Sequence, residues 1–287
     1  MVEKQILDFI FTDKKSYMEI VDIQCKDDLI GHKVAILKLF KEGFERELDD
    51  RIWNWAYLDN IFGDPIVSLA YDHDRLVAHY AVIPLHLANS GGKSLDSYLS
   101  MTTVVAQSHR KYGLFVDLAK RVNSLVKEKS ISGLIIGFPN KQSAPGFRKR
   151  LDWKINDVGC VVRVNKRFLL ESESFLEYFQ DSSRYTLDMN SVLVRNWRMM
   201  KPGGEWLEFN NVLLKRFGDE FDLMYFDDPE ALKELPDDLF FNMIVDQELM
   251  GIFSDDSIRM HYQFGYRIEE KCFIPDFKLH MVMSDVF

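Results

Sequence analysis

Cysteine is scarce: Cys25, Cys160 and Cys272 stand far apart in 287 residues, with no CxxC pair. That excludes a disulfide scaffold and a thiolate zinc site, and scattered thiols fit a reducing compartment. Basic residues are outnumbered, 36 against 45 acidic, giving a formal net charge of −9. A dedicated nucleic-acid binder carries a basic face, so no nucleic acid is expected as a partner, and general attraction to an anionic membrane surface is also disfavoured. Long apolar runs are missing as well: no window approaches the ~18 uninterrupted apolar residues of a membrane span. The start, Met1–Asp8, lacks a basic stretch leading into an apolar core, so no secretory signal is expected and the expected location is the cytoplasm. His73, His86, His109, His261 and His280 show no paired metal spacing, and no metal site is expected. A nucleotide P-loop and a GxGxxG turn are both absent, as are internal repeats.

What is present is an alternation of strand and helix patterns. Ile20–Ile23 reads as a short strand, and Leu29–Phe44 as a helix with Ile36, Leu37, Phe40 and Phe44 at helical spacing, capped by Asp27 or Asp28. An aromatic cluster, Trp53, Trp55 and Tyr57, precedes the turn Phe62-Gly63-Asp64-Pro65. Ile66–Tyr71 and Leu76–Ile83 form a hairpin across Asp72-His73-Asp74-Arg75. Leu95–Ala106 is extended, Gly113–Lys129 is an amphipathic helix, Ile131–Phe138 a buried strand, Ala144–Leu151 a short helix and Trp153–Val164 a strand. This order predicts an α/β fold with a mixed sheet and helices on its faces. The texture changes past about residue 165, where acidic loops such as Phe226-Asp227-Asp228-Pro229 interrupt the pattern. Two parts are therefore expected, 1–165 and 166–287.

The stretch Thr102-Thr103-Val104-Val105-Ala106-Gln107-Ser108-His109-Arg110-Lys111-Tyr112-Gly113-Leu114-Phe115 carries the chemistry. A β-branched strand ends in a turn with Arg, Lys and Gly, and the turn opens directly into a helix. Free backbone N–H groups and the positive end of the helix dipole gather there, and a phosphate is their natural guest.

Residues Arg110 to Phe115 resemble the pyrophosphate-binding motif of GNAT acetyltransferases, Arg/Gln-x-x-Gly-x-Gly/Ala, with Gly113 at the first glycine and Phe115 in place of the last Gly/Ala. Further segments resemble a GNAT branch of bacterial polysaccharide and antibiotic-modification contexts: Trp55-Ala56-Tyr57 with Asn60-Ile61-Phe62-Gly63, then His79-Tyr80-Ala81-Val82-Ile83-Pro84. Gly137-Phe138-Pro139-Asn140, Ser143, Gly146-Phe147, Leu151 and Trp153 follow, and the final Ser284–Phe287 is similar too. The resemblance implies a GNAT-like mixed central sheet, with 1–165 binding acyl-CoA and 166–287 an α/β half packed against it that shapes the acceptor site. It implies acetyl-CoA as cosubstrate. The turn amides and side chains of Arg110, Lys111, Tyr112, Gly113, Leu114 and Phe115 would meet its pyrophosphate. Val104 or Val105 would polarise the thioester carbonyl, and Asn140, Ser143 and Phe147 would meet the pantetheine arm. Asn140 is equally a turn former after Pro139, and Ser143 is first a helix N-cap for Ala144–Leu151, a role compatible with the other.

The reaction strips a proton from an ammonium and covers a leaving thiolate. Many relatives use a Tyr where Phe147 stands. Tyr57 and His79 are candidates, each with a packing alternative, as an aromatic-cluster member and a core-edge imidazole. The tail Leu279, Met281, Met283 alternates like a strand and closes on Val286-Phe287, so a docked tail could present Asp285 and the terminal carboxylate of Phe287 as the base, or simply complete a sheet. The expected activity is N-acyl transfer from acyl-CoA to a small-molecule amine, such as an amino sugar linked to a nucleotide. Its rivals are an aminoacyl transferase and a degenerate GNAT module that binds acyl-CoA without catalysis.

Overall fold

The computed structural model describes residues 18–269 and 274–284. Two compact units are formed, each from discontinuous chain: one from residues up to Pro84 with Ser100–Gly133, the other from Leu85–Leu99 with Leu134 onward. Strands β3 (Arg75–Ala88) and β4 (Ser94–Val105) run from one unit into the other. Residue 165, where the texture changes, is the last of strand β6 (Lys154–Asn165).

In the first unit, β1 (Met18–Ile23) pairs antiparallel with β2 (Ile66–Asp72), and β2 with β3. The β2–β3 turn places His73 at φ 54, a left-handed position that His tolerates. The segment 29–44 is two helices, α1 (Lys26–Ile30) and α2 (Lys33–Phe44), because the chain turns at Gly31-His32. Asp27 and Asp28 lie inside the first turn of α1, and Cys25 and His32 take the N-cap positions without side-chain caps. The aromatic cluster is a helix, α3 (Asp50–Tyr57), capped by Asp49, whose carboxylate accepts from the Arg51 amide. α4 (Leu114–Lys129) packs on β2. Alternate β3 side chains explain the layering. His79 meets Phe40 of α2 and Tyr57 of α3. Tyr80, its neighbour, meets Phe115 of α4. Helices therefore cover both faces of this part of the sheet.

In the second unit, β4 pairs in parallel with β5 (Leu134–Gly137), which is shorter than the strand expected over 131–138 because Gly133 turns at φ 57 and Ile131 is exposed. α5 (Ala144–Arg150) leads to β6, and α6 (Lys166–Leu170) and α7 (Glu173–Gln180) follow. β7 (Thr186–Leu187) pairs with the end of β3, and α8 (Val192–Met199) comes next. β8 (Trp206–Phe209), β9 (Val212–Phe217), β10 (Glu220–Phe226), β11 (Phe240–Val245) and β12 (Ile258–Arg267) complete a mixed sheet. From β5 its order runs β12, β6, β11, β10, β9, β8. One core lies under α6 and α7, where Phe175, Phe179 and Phe226 stack.

The tail is docked as far as it is described: Phe277–Ser284 are all buried. It is not the alternating strand read from its sequence. Phe277 makes a single bridge to Tyr185, and Met281–Met283 form a 3₁₀ turn, so Leu279, Met281 and Met283 are buried along with His280 and Val282. Asp285 and Phe287 lie outside the described residues.

Candidate acyl-CoA site

The registered pairs between β4 and β5 end at Leu99↔Ile136, while β4 continues to Val105. Its last residues remain anchored on the β3 side, where the Ala106 amide donates to the Val77 carbonyl at 2.8 Å. A strand that outruns its neighbour presents backbone groups to whatever lies along that edge.

Within this overhang Thr102 has φ +26. A β-branched residue there is an outlier, costing on the order of 1–3 kcal/mol. Two buried side chains hold it. His79 Nδ1–H donates to the Thr102 carbonyl at 2.9 Å, and the Tyr57 hydroxyl lies 2.7 Å from Thr102 Oγ1. A carbonyl can only accept, so Nδ1 carries the proton and Nε2 is bare, buried without a partner. Burial lowers the His79 imidazole to about 4, and it is neutral at physiological pH. Tyr57 and His79 are both 1% exposed, so neither reaches solvent directly. Thr102 has no sequence signature, since Thr is the wrong residue type for a left-handed kink.

After Val105 the chain makes a 3₁₀ turn, Gln107–Tyr112, then Gly113 at φ 72, then α4. His109 is buried and ties the turn to the β2–β3 hairpin: Nε2–H donates to Asp72 Oδ2 at 3.0 Å, and Nδ1 lies 2.8 Å from Ser108 Oγ. Tyr112 and Leu114 are buried anchors. Arg110 and Lys111 are exposed; Arg110 Nε reaches back to the Val105 carbonyl at 3.4 Å, and Lys111 Nζ stands 5.4 Å from the Tyr112 ring centre. No side chain caps α4, and the Val116 and Asp117 amides turn to the Gly113 carbonyl. Leu114 is the first residue of the helix. A Cβ built on Gly113 would meet nothing within 4 Å, so the space beside this turn is open. Phe115 is half-buried, its ring 6.3 Å from that of Tyr80. Val104 is buried and Val105 partly so.

In the second unit, Asn140 governs its own loop. Its Oδ1 accepts from the Gln142 amide at 3.0 Å and the Ser143 amide at 2.9 Å, and its carbonyl accepts from the Ala144 amide. Ser143 occupies the N-cap position of α5 but does not cap it. Its hydroxyl points back to Asn140, 3.1 Å from Oδ1. Phe147 is buried with its ring 4.6 Å from that of Trp153. Elsewhere in this unit His280 is fully buried among Phe179, Tyr225 and Phe226, with Nδ1 3.0 Å from Thr186 Oγ1, and burial lowers it to about 3.

Among the described residues no group of three or more His, Cys, Asp or Glu is placed to hold a metal ion, and no helix is long and apolar enough to cross a membrane.

Residues 31–156 match the family model of the acetyltransferase (GNAT) domain. No curated protein matches the chain. Among solved structures, a GCN5-related N-acetyltransferase from Kribbella flavida superposes with TM-score 0.58 at 10% identity, covering 88% of this chain and 72% of that one. A GCN5-related N-acetyltransferase from Anabaena variabilis gives TM-score 0.55 at 12% identity, covering 87% and 73%. A probable N-acyltransferase from Enterococcus faecalis gives 0.58 at 10%, covering 88% and 72%. At these identities the likeness is one of fold, and the fold is that of the GNAT acetyltransferases.

Proposed function

We propose that this protein transfers an acyl group, acetyl in the simplest case, from acyl-CoA to an amine on a small molecule. The observation that carries the reading is the overhang of β4 past Leu99, running through the Gln107–Gly113 turn into the uncapped start of α4. The residues present fit acyl-CoA. The space beside Gly113 is open, so a ligand can come close to the backbone there, the amides of Lys111–Phe115 suit a pyrophosphate, and Arg110 supplies an exposed positive charge beside them.

Acetyl-CoA, when bound, supplies the activated thioester. The chain's own part is to hold it along β4, to aim the Val104 or Val105 amide at the carbonyl oxygen, and to admit a neutral amine for direct attack. Tyr57 and His79 are buried on Thr102, so the ammonium proton leaves through a water chain or the Asp285 carboxylate, and the departing CoA thiolate takes its proton from water. The likeness of Gly137-Phe138-Pro139-Asn140 to a bacterial sugar- and antibiotic-modifying branch supports an amino sugar as acceptor. Phe147, buried against Trp153 with no hydroxyl to offer, favours one second reading, a module that binds acyl-CoA without turnover.

Thermal unfolding with acetyl-CoA tests the reading. A hundredfold excess over Kd should add about 2.7 kcal/mol of apparent stability, and Gly113→Val should remove that gain. No shift at millimolar acetyl-CoA overturns the proposal. A shift without thiol release across a panel of amino sugars and aminoglycosides favours the binding module.

A further inference from the structure

Among the described residues five non-glycines have positive φ, and Thr102 alone of them lies inside a strand. Glu45, His73, Asp152 and Asn210 lie outside helices and strands. Thr102 is also the one β-branched residue of the five, the type that resists this conformation most. Something must impose it.

What imposes it is built from two other elements. Tyr57, the last residue of α3, touches the Thr102 side chain, and His79, in the middle of β3, takes the Thr102 carbonyl. The two rings brace each other edge to face, with centres 6.2 Å apart at 87°. Phe40 closes on His79 at 5.2 Å and Trp53 on Tyr57 at 5.3 Å. In this apolar box neither ring can swing without opening the core. In a trans peptide the C=O and the following N–H point opposite ways. Fixing the Thr102 carbonyl on His79 therefore fixes the Thr103 N–H away from it, and with it the path of Val104 and Val105.

We infer that His79 and Tyr57 are positioning residues: they hold Thr102 in its left-handed conformation and, through it, aim the open-edge amides of Thr103 and Val105 at the acyl carbonyl. The inference rests on the acyl-CoA reading above. It gives two buried polar residues, each seated on the kink, a role that needs no contact with substrate. The bare Nε2 of His79 agrees with it: the imidazole is held for one hydrogen bond, that of Nδ1, at the expense of the other nitrogen.

The test uses [1-13C]acetyl-CoA and isotope-edited infrared spectroscopy of its acyl carbonyl, beside calorimetric Kd values for CoA, which lacks the acyl group. The intact protein should lower the carbonyl frequency on binding. Tyr57→Phe and His79→Leu should bind CoA within about twofold of the unaltered chain, yet lose at least half of that frequency shift. His79→Asn, whose amide N–H reaches a similar point, should keep it. Tyr57→Phe removes a single oxygen and carries the test alone if His79→Leu does not fold. A second measurement needs no ligand: urea unfolding should show a smaller loss from His79→Leu when Thr102 is already Gly, because glycine needs no clamp to stay at φ +26. A full frequency shift in both clamp variants, or equal urea losses in both backgrounds, overturns the positioning role and leaves the acyl-CoA reading intact. An unaltered protein that binds neither CoA nor acetyl-CoA overturns the acyl-CoA reading, and the aiming role with it.

Discussion

Gly43→Ala should destabilise the protein although it replaces a helical glycine with the best helix former. Gly43 is the penultimate residue of α2, and a Cβ there would stand 2.4 Å from Cγ2 of Val104. Carbon atoms rest at about 3.5–4.0 Å, so Val104 would have to retreat by more than an ångström. It cannot do so by a cheap rotation, because a β-branched side chain has few χ1 choices and this one is buried. Overpacking of this kind costs about 1–3 kcal/mol. The helix-propensity gain is at most about 1 kcal/mol, and less near a helix end. The net loss should be up to about 2 kcal/mol. With Val104→Ala in place the nearest remaining atom, the Cβ of residue 104, is 3.8 Å away, an ordinary contact. In that background Gly43→Ala should turn stabilising. Urea unfolding of the four proteins at unchanged m-value measures the cycle. A gain in stability from Gly43→Ala alone, or the same effect in both backgrounds, refutes the packing of α2 on β4.

Two buried histidines set an acid limit. The folded-state values of about 4 for His79 and about 3 for His280 lie below the unfolded ~6.5, so stability is unaffected above that pH and falls below it. From pH 6.5 to 4.5 the pair should cost roughly 5 kcal/mol; Asp222 and Asp246, held above the usual carboxylate range by burial, oppose this toward the acid end. His79→Asn should remove about half of the histidine slope in pH-dependent urea melts, and an unchanged slope would contradict the neutral, buried imidazole. Arg110→Ala, which removes an exposed guanidinium only loosely tied to the Val105 carbonyl, should raise the acetyl-CoA KM tenfold or more, on about 1.5–3 kcal/mol for a charge-assisted bond to phosphate. A flat KM would mean that the turn amides suffice. Asn140→Ala should lower the melting temperature by the equivalent of about 1 kcal/mol, and Ser143→Ala by much less. Equal losses would show that the serine hydroxyl shares the capping.

The β2–β3 hairpin, the strand ending at Val105, the turn with Arg110 and Gly113, and the helix that follows were legible because each rests on local chemistry: alternation, turn residues, an apolar stripe. The helix Asp50–Tyr57 was read only as an aromatic cluster, because Trp53, Trp55 and Tyr57 mask helical periodicity by being buried together. The tail misled because alternate apolar residues suit a strand, whereas this tail buries every residue from Phe277 to Ser284. Asn140 shows another limit. Its turn-forming role follows from local spacing, but which of Asn140 and Ser143 takes the amides depends on backbone angles that sequence does not print. The clamp on Thr102 was invisible for a deeper reason. Tyr57 and His79 were both suspected as chemically special, yet what they act on is a conformation, and a strained φ is imposed by tertiary packing.

The passage of β3 and β4 between the two units has a consequence on the ribosome. The hairpin Leu85–Leu99 is synthesised before every strand that pairs with it in its own unit. Leu134–Ile136 comes later and Thr186–Leu187 later still. Between Ala88 and Thr186 elongation at ~5–20 residues per second takes about 5–20 s. During that interval Leu85, Leu87 and Leu99, all buried in the finished protein, sit on an emerged hairpin with open edges. Nascent chains stalled between residues 140 and 180 should therefore be the ones that recruit a holdase chaperone, and chains released past β7 should not.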